Sequence, residues 1–282
     1  MIIWLASYPK SGNTWLRSIV ASLLYSKDGI FKFELLKKID QFPIKKYFED
    51  FTSDFSNIHE IKKYWILSQE KINLKNDVQF FKTHHINCKI NEFNFTNKNN
   101  TLAIIYIVRD PRNLIYSIAN HFNKSVEEAK NFLTTPQFIG GRKIEGGIKK
   151  TPDTPALLGT WNEHYKSWTY QNENLLLLKY ENLIENTEQE IIKIINFIQK
   201  FQTLKISKQK IQNIIKSTSF NNLQKMEKDG DFLENSFDIK LNKKNNFFFL
   251  GPKNNWVGKL PSQIQNELEN KFKNEMEELC YL

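Results

Sequence analysis

Three short strings in this sequence carry side chains able to do chemistry on a phosphorylated substrate. The first is Lys10-Ser11-Gly12-Asn13-Thr14, placed directly before a run with helical spacing. The first amides of a helix have no internal partner, and the helix dipole puts partial positive charge there. Such a loop cradles an anion, and phosphate is its usual guest. Gly12 lets the backbone approach that anion closely. Ser11 and Thr14 add hydroxyl donors, and Lys10 adds a mobile positive charge. The second string is Lys82-Thr83-His84-His85, polar residues at the carboxyl end of a strand, where α/β sheets place their chemistry. The third is Arg109-Asp110-Pro111-Arg112-Asn113, followed by Ser117. Arg109 falls at the strand tip and Ser117 about two turns into the following helix, while Arg109 and Asp110 alone would make a local ion pair.

The elements that must position these strings are legible from hydropathy. Ile2-Ile3-Trp4-Leu5-Ala6 is a short apolar run, broken at Ser7-Tyr8-Pro9. Leu16, Ile19, Val20, Leu23 and Leu24 then recur at helical spacing. The reading is buried strand, tight turn, helix. Val78-Gln79-Phe80-Phe81 predicts a second short strand that ends at Lys82. Leu102 to Val108 is nearly continuous apolar sequence, as in a parallel strand covered on both faces. Pro111 suits a helix start, and Leu114, Ile115, Ile118, Ala119 and Phe122 share one helical face. Leu175 to Leu178 predicts another buried strand. The helix after it carries Ile191, Ile192, Ile195 and Ile198, and Ser207 is a good N-cap for the next one. Trp161, Tyr165 and Trp168 form a helical stripe that reads as core. Strand-helix pairs over 2–24, 102–122 and 175–198 predict an α/β fold: a three-layer parallel sheet with right-handed crossovers, one domain over 1–282. In such sheets, polar residues at the carboxyl ends of strands sit where the chemistry is done. Residues 27–77 read as packing helices, or as part of an acceptor pocket. The Gly- and Pro-containing stretch 134–160 reads as a lid or a disordered excursion.

Composition narrows the classes. The chain has 282 residues, with 40 Lys and Arg against 31 Asp and Glu, for a net charge of +9. Lysines dominate and are interleaved with acids along the whole length. That describes a solvated surface biased toward anionic ligands, not a nucleic-acid binder with one concentrated basic element. Cys88 and Cys280 have no metal-site spacing and suggest no disulfide framework, so a reducing, cytoplasmic setting is expected. No apolar run approaches the ~20 residues of a membrane span. The first loop lacks the glycine that a Walker A loop carries five residues before its Gly-Lys pair.

Taken together, the strings resemble those of sulfotransferases that use 3′-phosphoadenosine 5′-phosphosulfate (PAPS). Tyr8-Pro9-Lys10-Ser11-Gly12-Asn13-Thr14-Trp15 resembles the 5′-phosphosulfate loop of that family. Lys82-Thr83-His84 resembles a second motif, which implies His84 as general base, with His85 as the competing position, and Lys10 and Lys82 as charge stabilisers. Arg109 and Ser117 match the pair that binds the 3′-phosphate. Tyr180, in Tyr180-Glu181-Asn182-Leu183, matches a tyrosine near the adenine, as does the segment Thr218-Ser219-Phe220. Trp15 and Phe220 would then lie against the base. Gly251 and Trp256 match the last cofactor motif in spacing, although Phe249-Leu250 stands where the family carries Arg-Lys. Lys253 or Lys243-Lys244 could supply the replacement cation. The resemblance implies a P-loop-like central parallel sheet flanked by helices. It implies sulfuryl transfer, without a metal, to a hydroxyl or amine on a small-molecule, lipid or glycan acceptor. A P-loop-type nucleotide kinase and a nonenzymatic nucleotide or polyanion binder stay open as alternatives.

Overall fold

The computed structural model describes residues 1–140, 154–170, 173–230, 232, 237–238 and 243–282. Five strands make the central sheet: β1 (Ile2–Ala6), β2 (Asp40–Gln41), β3 (Gln79–Thr83), β4 (Thr101–Val108) and β5 (Leu175–Lys179). Every pairing is parallel, and the spatial order is β2-β3-β1-β4-β5. The expected parallel α/β sheet is therefore present. The second predicted strand starts one residue later than Val78 and runs on through Lys82 and Thr83.

Alternation along β1 explains why all five of its residues are buried. Successive side chains point to opposite faces of a strand. Ile2, Trp4 and Ala6 face one hydrophobic core, and Ile3 and Leu5 face the other. The second face is covered by α1 (Asn13–Tyr25), through Leu16, Ile19, Val20 and Leu23. Further along the chain come α2 (Pro111–Phe122), α3 (Val126–Thr134), α4 (Trp161–Thr169), α5 (Tyr180–Glu185) and α6 (Thr187–Ile198). Ile191, Ile194, Ile195 and Ile198 of α6 join α1 on its face, while Leu114, Ile115, Ile118, Trp161, Tyr165 and Trp168 cover the other. The result is helix, sheet, helix. Trp161, Tyr165 and Trp168 are core residues, as their spacing predicts.

The caps also follow the sequence. Asp110 caps α2 by accepting from the Arg112 amide, with Pro111 in the first turn. Ser207 caps the helix Lys208–Ser217 by accepting from the Lys210 amide. Asp110 pairs with Arg112, not Arg109, at 2.8 Å. The local ion pair considered for Arg109 is thus absent, and Arg109 is left for the cleft. About half of 27–77 forms short helices, and Gln41 of β2 reaches the cleft. Part of the 134–160 stretch, 141–153, lies outside the described residues. Among the described residues, no helix is long and apolar enough to cross a membrane.

Sequence order turns around β1: β2 and β3 lie to one side, β4 and β5 to the other. A crevice opens at such a switch point, beyond the carboxyl ends of the strands. The sheet centre must be rigid to hold it. Trp4 anchors it, fully buried, with its indole Nε1 donating to Thr101 Oγ1 at 2.9 Å. Trp4→Ala should destabilise the fold by about 3–5 kcal/mol, read as a shift of the urea midpoint at constant slope. A shift under about 1 kcal/mol would show that the core on this face of the sheet does not depend on this ring.

Candidate active site

A cleft of about 900 Å³ occupies the switch point. The carboxyl ends of four strands feed it: the loop after β1, Lys82 and His84 of β3 and beyond, Arg109 after β4, and Tyr180 after β5. Lys10, Lys82, Arg109 and Lys124 line it, and no Asp or Glu is among its described lining residues. A cleft with cations and no carboxylates raises the local potential for a polyanion.

The loop after β1 has the backbone shape of an anion cradle. Lys10 sits at φ 68° and Gly12 at φ 101°, so the chain folds back on itself before α1 begins. Gly12 is the N-cap of α1 and has no side chain to accept the first amides of the helix. Asn13 braces the loop instead, its Nδ2 donating to Leu5 O at 2.9 Å and to Ser7 Oγ at 3.2 Å. The Lys10 ammonium lies 3.5 Å from the centre of the Phe247 ring, a cation–π contact. Several buried polar atoms here have no protein partner: Ser11 Oγ, Trp15 Nε1 and Arg109 Nε. Orphaned buried donors are costly, so the two on cleft-lining residues, Trp15 Nε1 and Arg109 Nε, fit a polar ligand.

Arg109 reaches the same loop from β4. Its Nη1 donates to Lys10 O at 3.2 Å, and its guanidinium lies 4.1 Å from the centre of the Tyr180 ring. Trp15 meets the edge of that ring at 5.8 Å. Trp15, Tyr180 and Phe220 all line the cleft, so aromatic faces flank the anion loop on the side away from β3. Ser117 lines it from α2 and accepts from Asn254 Nδ2 at 3.1 Å. A planar base and a second anionic group fit these surfaces.

The two histidines after β3 separate cleanly. The ring of His84 lines the cleft. Its Nδ1 stands 2.8 Å from Ser7 O, in the anion loop itself. A carbonyl oxygen only accepts, so Nδ1 carries a proton, and the neutral tautomer that this bond favours has its lone pair on Nε2. His85 points the other way. It is fully buried, stacks on Phe95 at 4.2 Å, and turns its Nδ1 to Ile86 O at 2.6 Å. Burial pushes its pKa down to about 4.

Nearly all the sequence-predicted site residues converge here: Lys10, Gly12, Asn13, Thr14, Trp15, Lys82, His84, Arg109, Ser117, Tyr180, Phe220 and Gly251 line the cleft. Ser11 lies buried beneath the loop. Thr218 is not brought in. It is buried, and its Oγ1 donates to Ile214 O at 2.8 Å, closing the helix before Phe220. Gly251 has φ 52°, and a Cβ there would overlap the Phe220 ring. Lys253 is exposed and does not line the cleft, and the side chains of Lys243 and Lys244 lie outside the described residues. Sequence reasoning missed Lys124, Gln41 and the aromatic wall of Phe122, Phe132 and Phe247. Asn123 was the available signal for Lys124: it ends α2 at φ 53° and turns the next residue toward the cleft.

Two measurements test this geometry. A Cβ on Gly12 would lie 2.5 Å from Tyr180 Cδ2. Gly12→Ala should therefore weaken binding of adenosine 3′,5′-bisphosphate about tenfold or more in a folded protein, by calorimetry. Unchanged affinity would remove the loop from the site. The second concerns pH. Burial lowers His85 to about 4 and His164 to about 3, both below the usual 6.5. The unfolded chain therefore binds these protons first. The stability held in the two neutral rings is present above pH 6.5 and falls as pH drops toward 4. Each ring costs up to about 1.4 kcal/mol per pH unit there. Urea midpoints at pH 7 and pH 5 should show the fall, and His164→Gln should lessen it. An equal slope in both proteins would mean that His164 is charged in the fold.

Comparison with known proteins agrees with the geometry. The family model described as "Sulfotransferase domain" matches residues 2–280. The chain is 24% identical over 277 residues to Sulfotransferase 1E1 of Rattus norvegicus, covering 96% of this chain and 82% of that one. It is 25% identical over 230 residues to the amine sulfotransferase of Oryctolagus cuniculus, covering 79% of this chain and 62% of that one. Among solved structures, mouse sulfotransferase SULT7A1 complexed with PAP superposes with a TM-score of 0.59 at 19% identity, over 98% of this chain and 84% of that one. With a model match running almost end to end over the same five-stranded sheet, the chain belongs to the sulfotransferase domain family.

Proposed function

We propose that the cleft moves a sulfuryl group from PAPS to a hydroxyl or amine of a small-molecule acceptor. One observation carries this reading. The anion loop and the candidate base are joined directly, His84 Nδ1 donating to Ser7 O at 2.8 Å. Whatever anion seats on the loop is thereby held in fixed relation to a ring whose Nε2 can take a proton.

Bound PAPS would supply an electrophilic sulfur and a phosphate leaving group. The chain's residues account for the rest. The first amides of α1, Ser11 and Lys10 would hold the 5′-phosphosulfate. Arg109 and Ser117 would take the 3′-phosphate, and Trp15, Tyr180 and Phe220 the adenine. His84 Nε2 accepts the acceptor proton as the new bond to sulfur forms. Lys10, Lys82 and the loop amides stabilise the charge that grows on the departing phosphate oxygen. Alignment of donor and acceptor across the cleft supplies much of the remaining rate.

The acceptor wall is aromatic. Phe122 and Phe132 stack at 4.8 Å, next to Phe138 and Ile139. This favours an acceptor with a flat apolar body, and likeness to the rabbit amine sulfotransferase supports an amine among the candidates. A calorimetric titration with adenosine 3′,5′-bisphosphate, set against ATP plus Mg²⁺, separates the reading from a nucleotide kinase.

His84→Ala should keep nucleotide affinity within about twofold and lower turnover by roughly 10²-fold or more. His85→Ala should lower stability and leave turnover per folded molecule nearly intact, because its ring faces the core. An active His84 variant beside a dead His85 variant would move the base by one position. Arg109→Ala should weaken the bisphosphate about tenfold or more and adenosine 5′-phosphosulfate much less. Equal losses would place the 3′-phosphate elsewhere.

A further inference from the structure

Behind the cleft lies a buried hydrogen-bonded chain that the proposed chemistry does not use directly. His164, on α4, is fully buried. Its Nε2 lies 3.1 Å from the backbone oxygen of His84. That oxygen can only accept, so Nε2 carries the proton and Nδ1 is left as an acceptor. The Tyr106 hydroxyl stands 2.8 Å from that Nδ1 and donates to it. Each polar atom of the imidazole is thus matched to one partner, and the tautomer is fixed from both sides. Tyr106 is fully buried mid-sheet on β4, paired in register with Ala6 of β1. Tyr8 of the anion loop packs the edge of its ring on His164 at 5.6 Å. The Tyr8 hydroxyl is tied down in turn, donating to Phe132 O at 2.7 Å.

We infer that Tyr106 and His164 are positioning residues, which lock the main chain at His84 so that its ring stays on Ser7 O and offers Nε2 to the cleft. The need for such a device follows from the local chain. The strand ends at Thr83, so the sheet no longer holds the backbone of His84 through ladder bonds. On the far side, His85 O is held by Trp168 Nε1 at 2.9 Å, also from α4. Two consecutive carbonyls beyond the strand are therefore pinned by one helix, through His164 and Trp168. The imidazole ring, not an aliphatic side chain, is what the place requires. It must donate to a carbonyl at one end and accept from a phenol at the other, in a fully buried site. Burial keeps that ring neutral, with its pKa pushed down to about 3. A charged His164 would carry a proton on Nδ1 and lose its acceptor for Tyr106.

The inference rests on the reading of His84 as the base, and the test keeps the two apart. Ring nitrogen shifts of His84, from ¹⁵N-labelled protein by long-range ¹H–¹⁵N correlation, report its tautomer without any acceptor. Three variants are compared: His164→Leu, His164→Gln, whose amide can still donate to His84 O, and Tyr106→Phe. Wild-type His84 should show a single Nδ1–H form. His164→Leu should average the two ring tautomers and lower kcat for a simple phenol such as 2-naphthol about tenfold, with KM for PAPS within about twofold. His164→Gln should restore most of both, and Tyr106→Phe should fall between. Should His164→Leu fail to fold, Tyr106→Phe carries the comparison, since it removes one oxygen from the same chain. A single, unchanged His84 tautomer in folded His164→Leu or Tyr106→Phe would overturn the positioning role. So would a wild-type His84 that is already averaged. Failure of wild-type protein to bind adenosine 3′,5′-bisphosphate would instead sink the functional reading, and the tautomer result would stand by itself.

Discussion

One hydrogen bond orders the active cleft: His84 Nδ1 to Ser7 O. It joins the segment after β3 to the segment after β1, and the sheet makes it unavoidable. β1 and β3 pair in parallel register, with Ala6 opposite Thr83, and the Ser7 amide donates on to Thr83 O at 3.3 Å. One residue further along each strand come Ser7 and His84. A slip of one residue would turn every side chain of β3 to the other face. It would bury His84 and send Phe80 and Phe81 the wrong way. The register that seats Phe80 and Phe81 in opposite cores therefore also sets the distance between the loop after β1 and His84. Stability and chemistry depend on the same pairing.

The same logic explains the neighbouring histidine. His85 is adjacent in sequence but faces the opposite side, stacked on Phe95 within the core. Sequence placed two histidines at a strand end and could not tell which was aimed at the cleft. The answer lies in contacts that are distant in sequence: Phe95 and Trp168 claim His85, while Ser7 claims His84. Local pattern carried the strands, the first helix and its uncapped start, because those depend on periodicity and on Gly12. It did not carry Lys124 or the Phe122–Phe132 wall, which reach the cleft only because α2 and α3 pack over one face of the sheet. Nor did it show that Thr218 is spent on a helix carbonyl, since a threonine at a helix end reads the same whether it faces ligand or backbone. The sulfotransferase resemblance, by contrast, was fully legible in the strings themselves, and the family match bears it out.

The C-terminal approach to Gly251 is chemically unusual for an anion site. Phe247, Phe248, Phe249 and Leu250 precede the glycine and line the cleft. Phe247 does accept positive charge, through its face, from Lys10. An aromatic ring can hold an ammonium in a dry site without neutralising it. Lys10 is thus held against the Phe247 ring at the cleft. Arg109 is held in the same manner over Tyr180. Two of the cleft's cations rest on aromatic faces, and the described lining holds no carboxylate to compete for them. The arrangement favours a polyanionic nucleotide and charge that develops during transfer.

The central claim is that a single backbone-linked unit, the loop after β1 with His84, seats the donor and presents the base. The most direct measurement is a crystal structure with adenosine 3′,5′-bisphosphate bound. The account predicts the 5′-phosphate on the first amides of α1 and Lys10, the 3′-phosphate at Arg109 and Ser117, and His84 still on Ser7 O with its Nε2 turned toward the 5′-phosphate. A nucleotide seated away from this loop, or His84 swung off Ser7 O with its ring turned from the phosphate, would contradict it.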